Sequence, residues 1–374
     1  MNVKQDKSGD GLPITRIETI ADASVDGTRV GYAGLKENEC RDWLMEPGDI
    51  LFSHINSVEH IGKCAVYRGV PEKLVHGMNL LCLRTDPAKL LPEFAKYLIR
   101  GSEFRMRLAH FINKAVNQAS VSIGNLKTIS VSVPSLAKQQ RIAEVLGQTE
   151  ELRAKRRTAL AQLDALTQAI FLDLFGDPAT NPKGWPIIPL DSEIKSVRYG
   201  TGSPPDYVEE GLPFIRATNI KDGTINSKDL KRISIQDAEH LRKCKVSFGN
   251  LIVVRSGVNT GDCAMVPKDY DGACAAYDLI VELPLENAIF YNFLINSPYG
   301  KRYLSPLTRR AAQPHLNADQ LRTLTFIAPS VHIKKEFARR VGAMENLRTA
   351  HRASLAKLDA LFSSLQHRAF QGEL

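Results

Sequence analysis

Little in this chain of 374 residues points to a secreted scaffold, a membrane span or a metal centre. The six cysteines (Cys40, Cys64, Cys82, Cys244, Cys263 and Cys274) form no Cys-x-x-Cys pair and have no histidine at ligand spacing. That excludes a disulfide framework and a zinc site and reads as reduced thiols; no metal ligand is expected. No apolar run approaches the roughly 18–20 residues of a spanning helix, and the opening MNVKQDKSGDG lacks the apolar core of a signal peptide. A cytoplasmic protein without membrane contact is therefore expected.

Catalytic motifs are equally scarce. There is no GxxxxGK[ST] phosphate loop, no GxGxxG after a strand, no HExxH and no GxSxG elbow. An Asn/Asp-Pro-Pro-Tyr segment with a glycine-rich cofactor loop, as a DNA amino-methylating enzyme needs, is missing too. The one nuclease-like fragment, Asp191-Ser192-Glu193-Ile194-Lys195, holds a Glu-x-Lys that chance supplies in a chain this charged. No catalytic residue is assigned. The net charge of +8 admits a polyanionic partner without demanding one.

What the chain does have is repetition. Residue i aligned with i+195 over 117–175 needs no gap, and 18 of those 59 positions are identical, against roughly 6% by chance. They include Gln118/Gln313, Pro134/Pro329, Ser135/Ser330, Glu150/Glu345, Arg153/Arg348 and the LDAL tetrapeptides at 163–166 and 358–361. A weaker match upstream aligns GKCA (62–65) with GDCA (261–264) and GLPITRIETI (11–20) with GLPFIRATNI (211–220). Units of nearly 200 residues make a duplicated domain pair, not a solenoid. The expected organisation is a first globule (1–134), a first helix (135–178), a second globule (179–329) and a second helix (330–374).

The tails predict long helices. Apolar or near-apolar positions recur in steps of three and four from Ile142 through Leu146, Leu152, Leu160, Leu163 and Ile170. The second copy repeats them at Phe337, Val341, Met344, Leu347, Leu355, Leu358 and Leu365, and Leu166 and Leu361 stand beside the seam. Polar residues break it at one matched point, Arg156 and His351. About 40 residues give each helix a length of roughly 60 Å, and one apolar seam requires a partner. The other helix of the chain is the expected one; packing of each helix on its own globule is the alternative.

The segments before the helices carry short apolar runs: ILF (50–52), KCAVY (63–67) and LLCL (80–83), then LIVVR (251–255), DCAMV (262–266) and DLIVELP (278–284). Each segment ends in a helical stretch, 92–111 and 286–304. The fold class expected is α+β: two similar globules with twisted, mostly antiparallel sheets, separated by two antiparallel coiled-coil-like helices. Two polar loops per globule are candidates for contact with DNA. The first is 53–63, with His54, Asn56, Ser57 and Lys63, facing 255–262 with Arg255, Ser256, Asn259 and Thr260; these side chains can read base edges or bind phosphate. The second is 111–122, with Lys114, Asn117, Gln118 and Ser120, matched by Arg309, Arg310, Gln313 and His315 in 307–317. Solvated hairpin turns are the bland reading of the first loops, and a shared structural role is the reading favoured for Gln118/Gln313.

With these residues in place, the chain resembles the DNA specificity subunit of type I restriction–modification systems. The resemblance is carried by the duplicated Pro-Ser…LDAL tails, the GDPATNPKGWP junction (176–186), and the segments 48–66 and 313–330. It implies two target-recognition domains reading the halves of a bipartite, asymmetric site in double-stranded DNA, with the helices setting the gap. It further implies docking of two modification (methyltransferase) subunits, which use S-adenosylmethionine, and of restriction (translocase/endonuclease) subunits through the complex. No cofactor of the chain's own is implied. One departure stands out: 26 residues, Trp185–Glu210, precede GLPFIR in copy two, whereas only ten precede GLPITR in copy one. The first globule is expected to be short of a strand, with the natural start lying upstream or another segment filling that edge. A structural coiled-coil adaptor, or a nuclease or methyltransferase with degenerate motifs, is the competing reading.

Overall fold

The computed structural model describes residues 3–21, 23–115, 118–308 and 315–373. Two compact units divide the chain: Met1–Ala159 with His351–Leu374, and Leu160–Ala350. Both boundaries fall within the long helices, so each unit is built from a globule and a part of each helix.

The first globule centres on the strand Ile50–Phe52, hydrogen-bonded antiparallel to Cys64–Val66 on one side and Leu81–Leu83 on the other. Its continuous apolar run is explained by a sheet covered on both faces. Ile50 and Phe52 pack with Ala95, Ile99 and Leu108 of the helical layer. Leu51 points the other way, with Ala65, Tyr67, Leu74 and Leu80, onto Ile20, Val30 and Met45. The second globule repeats the plan with Leu251–Val253 between Cys263–Met265 and Leu279–Glu282. A further strand there, Ser196–Tyr199, extends the sheet to four by pairing with Leu279–Glu282. Pairing is antiparallel throughout these ladders; Tyr207–Ile215 with Cys274–Ala275 is a parallel exception.

Each helical stretch of the globules is broken in two. The first comprises Pro92–Arg100 and Ser102–Ala109, the second Leu285–Asn296 and Pro298–Thr308. Gly101 and Ser297 hold extended backbone at the breaks. Pro298 disfavours a helical conformation at Ser297, whose hydroxyl instead accepts a hydrogen bond from the Gly300 amide.

The two long helices are Leu136–Phe175 and Val331–Phe370. They pair antiparallel inside each unit, as expected. In the first unit Ile142 and Leu146 are buried with Phe362, Ala369 and Leu365, together with Phe94 and Tyr97 of the globule. In the second, Phe171, Phe175 and Ile170 meet Phe337 and Val341 in the main core. The helices thus pack on each other and on a globule at once. Thr149 and Thr167 are buried seam members because each hydroxyl donates to the carbonyl four residues back. Leu160, Leu163, Leu355, Leu358 and Val341 are half-buried, and Met344 is buried.

Four expected pairing residues are corrected. Leu152, Leu166, Leu347 and Leu361 are each about half exposed. The inner position beside Leu152 belongs to Arg153, whose Nε donates to Asp359 Oδ1 at 2.6 Å and whose guanidinium lies 4.5 Å from the centre of the Phe362 ring. The repeat-related Arg348 takes the place beside Leu347 and pairs with Asp164 at 2.8 Å. Hydrophobicity alone pointed one residue too early because an aliphatic stem with a paired head fills that position as well as leucine does. The matched break is also explained: Arg156 Nη1 meets His351 Nδ1 at 3.0 Å.

Candidate nucleic-acid interface

The two polar loops of each globule meet. In the first unit the hairpin after Ile50–Phe52 is closed by Ser53 N to Lys63 O (2.8 Å) and Gly62 N to Ser53 O (2.9 Å). Its residues Ile55–Asn56 then pair with Ala119–Ser120 of the second loop, which in turn pairs with Asn113–Lys114. In the second unit Val254 N to Asp262 O (2.8 Å) and Gly261 N to Val254 O (2.9 Å) close the equivalent hairpin. Gly62, Gly257 and Gly261 turn these hairpins at φ +82°, +97° and +89°, a region that favours glycine. The contact between loops is also equivalent: Val121 N donates to His54 O, and Leu316 N donates to Arg255 O. The strand bridge Ile55 to Ser120 corresponds to Ser256 to His315. Residues separated by about 60 positions in the sequence therefore form one polar surface in each unit.

Arg255 is the best-defined donor on that surface. Its guanidinium lies 4.2 Å from the Tyr277 ring centre and 4.8 Å from that of Tyr199, and Nη2 lies 3.2 Å from His315 Nε2. Two aromatic faces hold the planar fork in one orientation at little further entropic cost, which suits recognition of a guanine edge or a phosphate. Its Nε is buried and has no hydrogen-bond partner among the described residues. Beneath it, the buried Asp278 accepts the Arg255 amide at 3.2 Å; burial raises its carboxyl to about 6 against that bond and the Arg255 charge. The counterpart of Arg255 in the first unit is His54, whose imidazole is pushed below its ordinary value by burial and by His76. Burial thus favours its neutral form, which suits reading a base edge better than neutralising a phosphate.

Among the other expected residues, Ser57, Lys114, Gln118 and Asn259 are exposed, and Asn56, Lys63, Ser120, Ser256, Thr260 and His315 are half-buried. Asn56 Oδ1 accepts the Ser57 amide, and Thr260 donates to Gly257 O. Gln118 exchanges backbone hydrogen bonds with Ala115 while its side chain is exposed. Asn117, Arg309, Arg310 and Gln313 lie outside the described residues. Sequence reasoning missed Tyr199, Tyr277 and Asp278. An aromatic residue at the end of one strand and another just before its antiparallel neighbour was the available signal, but it has meaning only once the strands pair side by side.

The Glu-x-Lys fragment is structural. Glu193 receives two hydrogen bonds from the buried Lys334 at 2.7 and 2.9 Å and one from Asn287. Asp191 is bonded to Arg322. Among the described residues no group of histidine, cysteine and carboxylate side chains is placed to hold a metal ion, and no helix is long and apolar enough to cross a membrane.

Comparison with known proteins agrees with this duplicated architecture. The profile of the type I restriction modification DNA specificity domain matches twice, at residues 2–163 and 195–359. The chain is 29% identical to a protein of Methanocaldococcus jannaschii named as the MjaX type I restriction enzyme specificity subunit, over the whole of this chain and 90% of that one. It is 24% identical to the EcoBI specificity subunit of Escherichia coli over 81% of this chain and 74% of the relative. The crystal structure of a type I S subunit from M. genitalium shares the fold, with a TM-score of 0.59 and 14% identity over 88% of this chain and 84% of that one. Two matches to one specificity-domain profile, on two globules built around the same antiparallel strand triplet, place this chain in the type I restriction–modification DNA specificity family.

Proposed function

We propose that this chain is the sequence-specific DNA-binding subunit of a type I restriction–modification complex, and that it carries no catalytic step of its own. The observation that supports this best is the repeated meeting of two polar loops, one pair per globule, on the same backbone framework with different side chains. A shared framework with divergent His54/Arg255 and Ser120/His315 is what two readers of different half-sites require. Within this reading, Lys63, Lys114, Arg309 and Arg310 neutralise phosphates, while His54, Asn56, Ser57, Asn117, Gln118, Ser120, Arg255, Ser256, Asn259, Thr260, Gln313 and His315 face base edges or sugar–phosphate. The regions 1–134 and 179–329 act as target-recognition domains, and 135–178 and 330–374 as spacer helices that dock two modification subunits. Those subunits supply S-adenosylmethionine-dependent methylation, and restriction subunits join through them.

Retention of double-stranded DNA from a random pool tests the reading. Two short conserved blocks separated by a fixed gap should emerge, with affinity falling steeply as salt rises. Turnover of DNA or S-adenosylmethionine by the purified chain alone would instead favour an enzyme, and absence of any selected sequence would favour a protein-binding adaptor.

A further inference from the structure

The two units differ at one edge: the second has strands there that the described residues of the first do not form. In the second unit the segment Trp185–Tyr199 covers two neighbouring strand edges. Ile187–Pro189 pairs antiparallel with Thr325–Ile327, and Ser196–Tyr199 pairs with Leu279–Glu282. Under that cover Phe326, Ile327, Leu279, Ile280 and Val281 are at most 2% exposed. The Trp185 indole donates to the Phe175 carbonyl at 2.9 Å and anchors the segment's start.

The repeat relates Thr325–Ile327 to residues 130–132, and Phe175 to Phe370. In the first unit residues 130–132 form no strand, and Val131 is 40% exposed. Leu81–Leu83, the counterpart of Leu279–Val281, is only half-buried, and its outer edge pairs with no strand among the described residues. A cavity of about 390 Å³ opens beside residues 130–132 and the end of the second long helix, lined among others by Phe104, Val131, Ser132, His367 and Phe370. Val131 and Phe370 are the repeat equivalents of the residues that touch Ile188 and Trp185. One polar difference fits as well. Lys334, which needs Glu193 of the covering segment, is replaced by Gln139, fully satisfied by Leu91 N, Lys89 O and Pro134 O.

We propose that this edge of the first unit is an acceptor site for an extended polypeptide segment with the chemistry of 185–199. A tryptophan followed by proline fills the cavity, an aliphatic pair adds a strand to residues 130–132, and a second short strand ending in an aromatic residue pairs with Leu81–Leu83. Open strand edges template such additions, and a buried tryptophan supplies the largest single apolar contact. The occupant needs no acidic residue at the Glu193 position, because Gln139 makes no demand for one. It would also bring an aromatic residue beside His54, as Tyr199 stands beside Arg255. The site is independent of the DNA-reading proposal, since its occupancy is measured without DNA.

A synthetic peptide of residues 184–200, labelled at its N-terminus, tests this when titrated into the full chain by fluorescence anisotropy, with amide hydrogen exchange on the same mixture. Saturable one-to-one binding is expected, with new protection at 81–83 and 130–133. Trp185→Ala in the peptide, or Val131→Asp in the chain, should weaken it at least tenfold, while Val131→Ile should leave it within about twofold. Because Val131 is exposed, its replacement spares the core, and an unchanged thermal midpoint checks that. Absence of saturable binding, protection confined to other residues, or a chain that self-associates through this edge in a Val131→Asp-sensitive way would overturn the proposal.

Discussion

Arg255 and Glu150 show how differently two charged residues of the same fold are held. Arg255 is stacked between two tyrosines with one nitrogen unpartnered, as a group awaiting a ligand would be. Arg255→Ala should cost about 1–3 kcal/mol of DNA affinity and relax sequence preference in one half-site only, measured by competition binding with single-base variants. Glu150 is closed in on itself: burial opposes its charge, but Arg100 at 2.6 Å and Lys96 at 3.1 Å hold its carboxyl down to about 2. Such a carboxyl contributes stability that is full above about pH 4.5 and lost as pH falls toward 2. Glu150→Gln leaves the buried Lys96 with one carboxylate, Glu93 at 3.1 Å, and should destabilise the fold by about 2–4 kcal/mol at pH 7. It should also flatten the fall in the urea midpoint between pH 4.5 and 2. Asp278 works in the opposite sense. Its carboxyl is raised to about 6, so its contribution is full below about pH 3.8 and is lost as pH rises through 6. Asp278→Asn keeps the acceptor for the Arg255 amide and should raise stability at pH 8 by about 1–2 kcal/mol, seen in the same midpoint.

At the scale of elements, the sequence made the strands and long helices legible because their signals are local. ILF, LIVV and the three–four spacing of the tails each occupy one stretch of chain. What was not legible came from pairings across the chain. The loops 53–63 and 111–122 looked like two candidates and are one surface, since their ladder forms between residues far apart in sequence. The inner arginines were hidden for a related reason. Arg153 and Arg348 are identical in the repeat, as are Asp164 and Asp359, yet only the antiparallel crossing shows that each arginine pairs with the aspartate of the other helix. Arg153→Asp should lower the thermal midpoint, with a loss of about 1–2 kcal/mol, and adding Asp359→Arg should recover most of it. Full additivity of the two changes would contradict the pairing.

For the whole molecule, duplication is the organising fact. Each helix contributes part of its length to each unit, and each unit contains one copy of the same loop framework. If the helices act as the spacer, inserting seven residues into both at matched positions adds about 10 Å. That should widen the gap between half-sites by about three base pairs while leaving both half-sites unchanged. The small net charge of +8, spread over two reading surfaces and two helices, fits modest affinity of the isolated chain for DNA, with tight binding supplied by the assembled complex.

The central claim is that each globule reads its own half of one target. Its most direct measurement is selection of double-stranded DNA from a random pool by this chain in complex with the proposed modification subunits, repeated with the Arg255→Ala chain. The account predicts one bipartite sequence for the unaltered chain and, for the variant, loss of preference in a single half with the other half and the gap unchanged. A contiguous motif, or a substitution that alters both halves together, would contradict it.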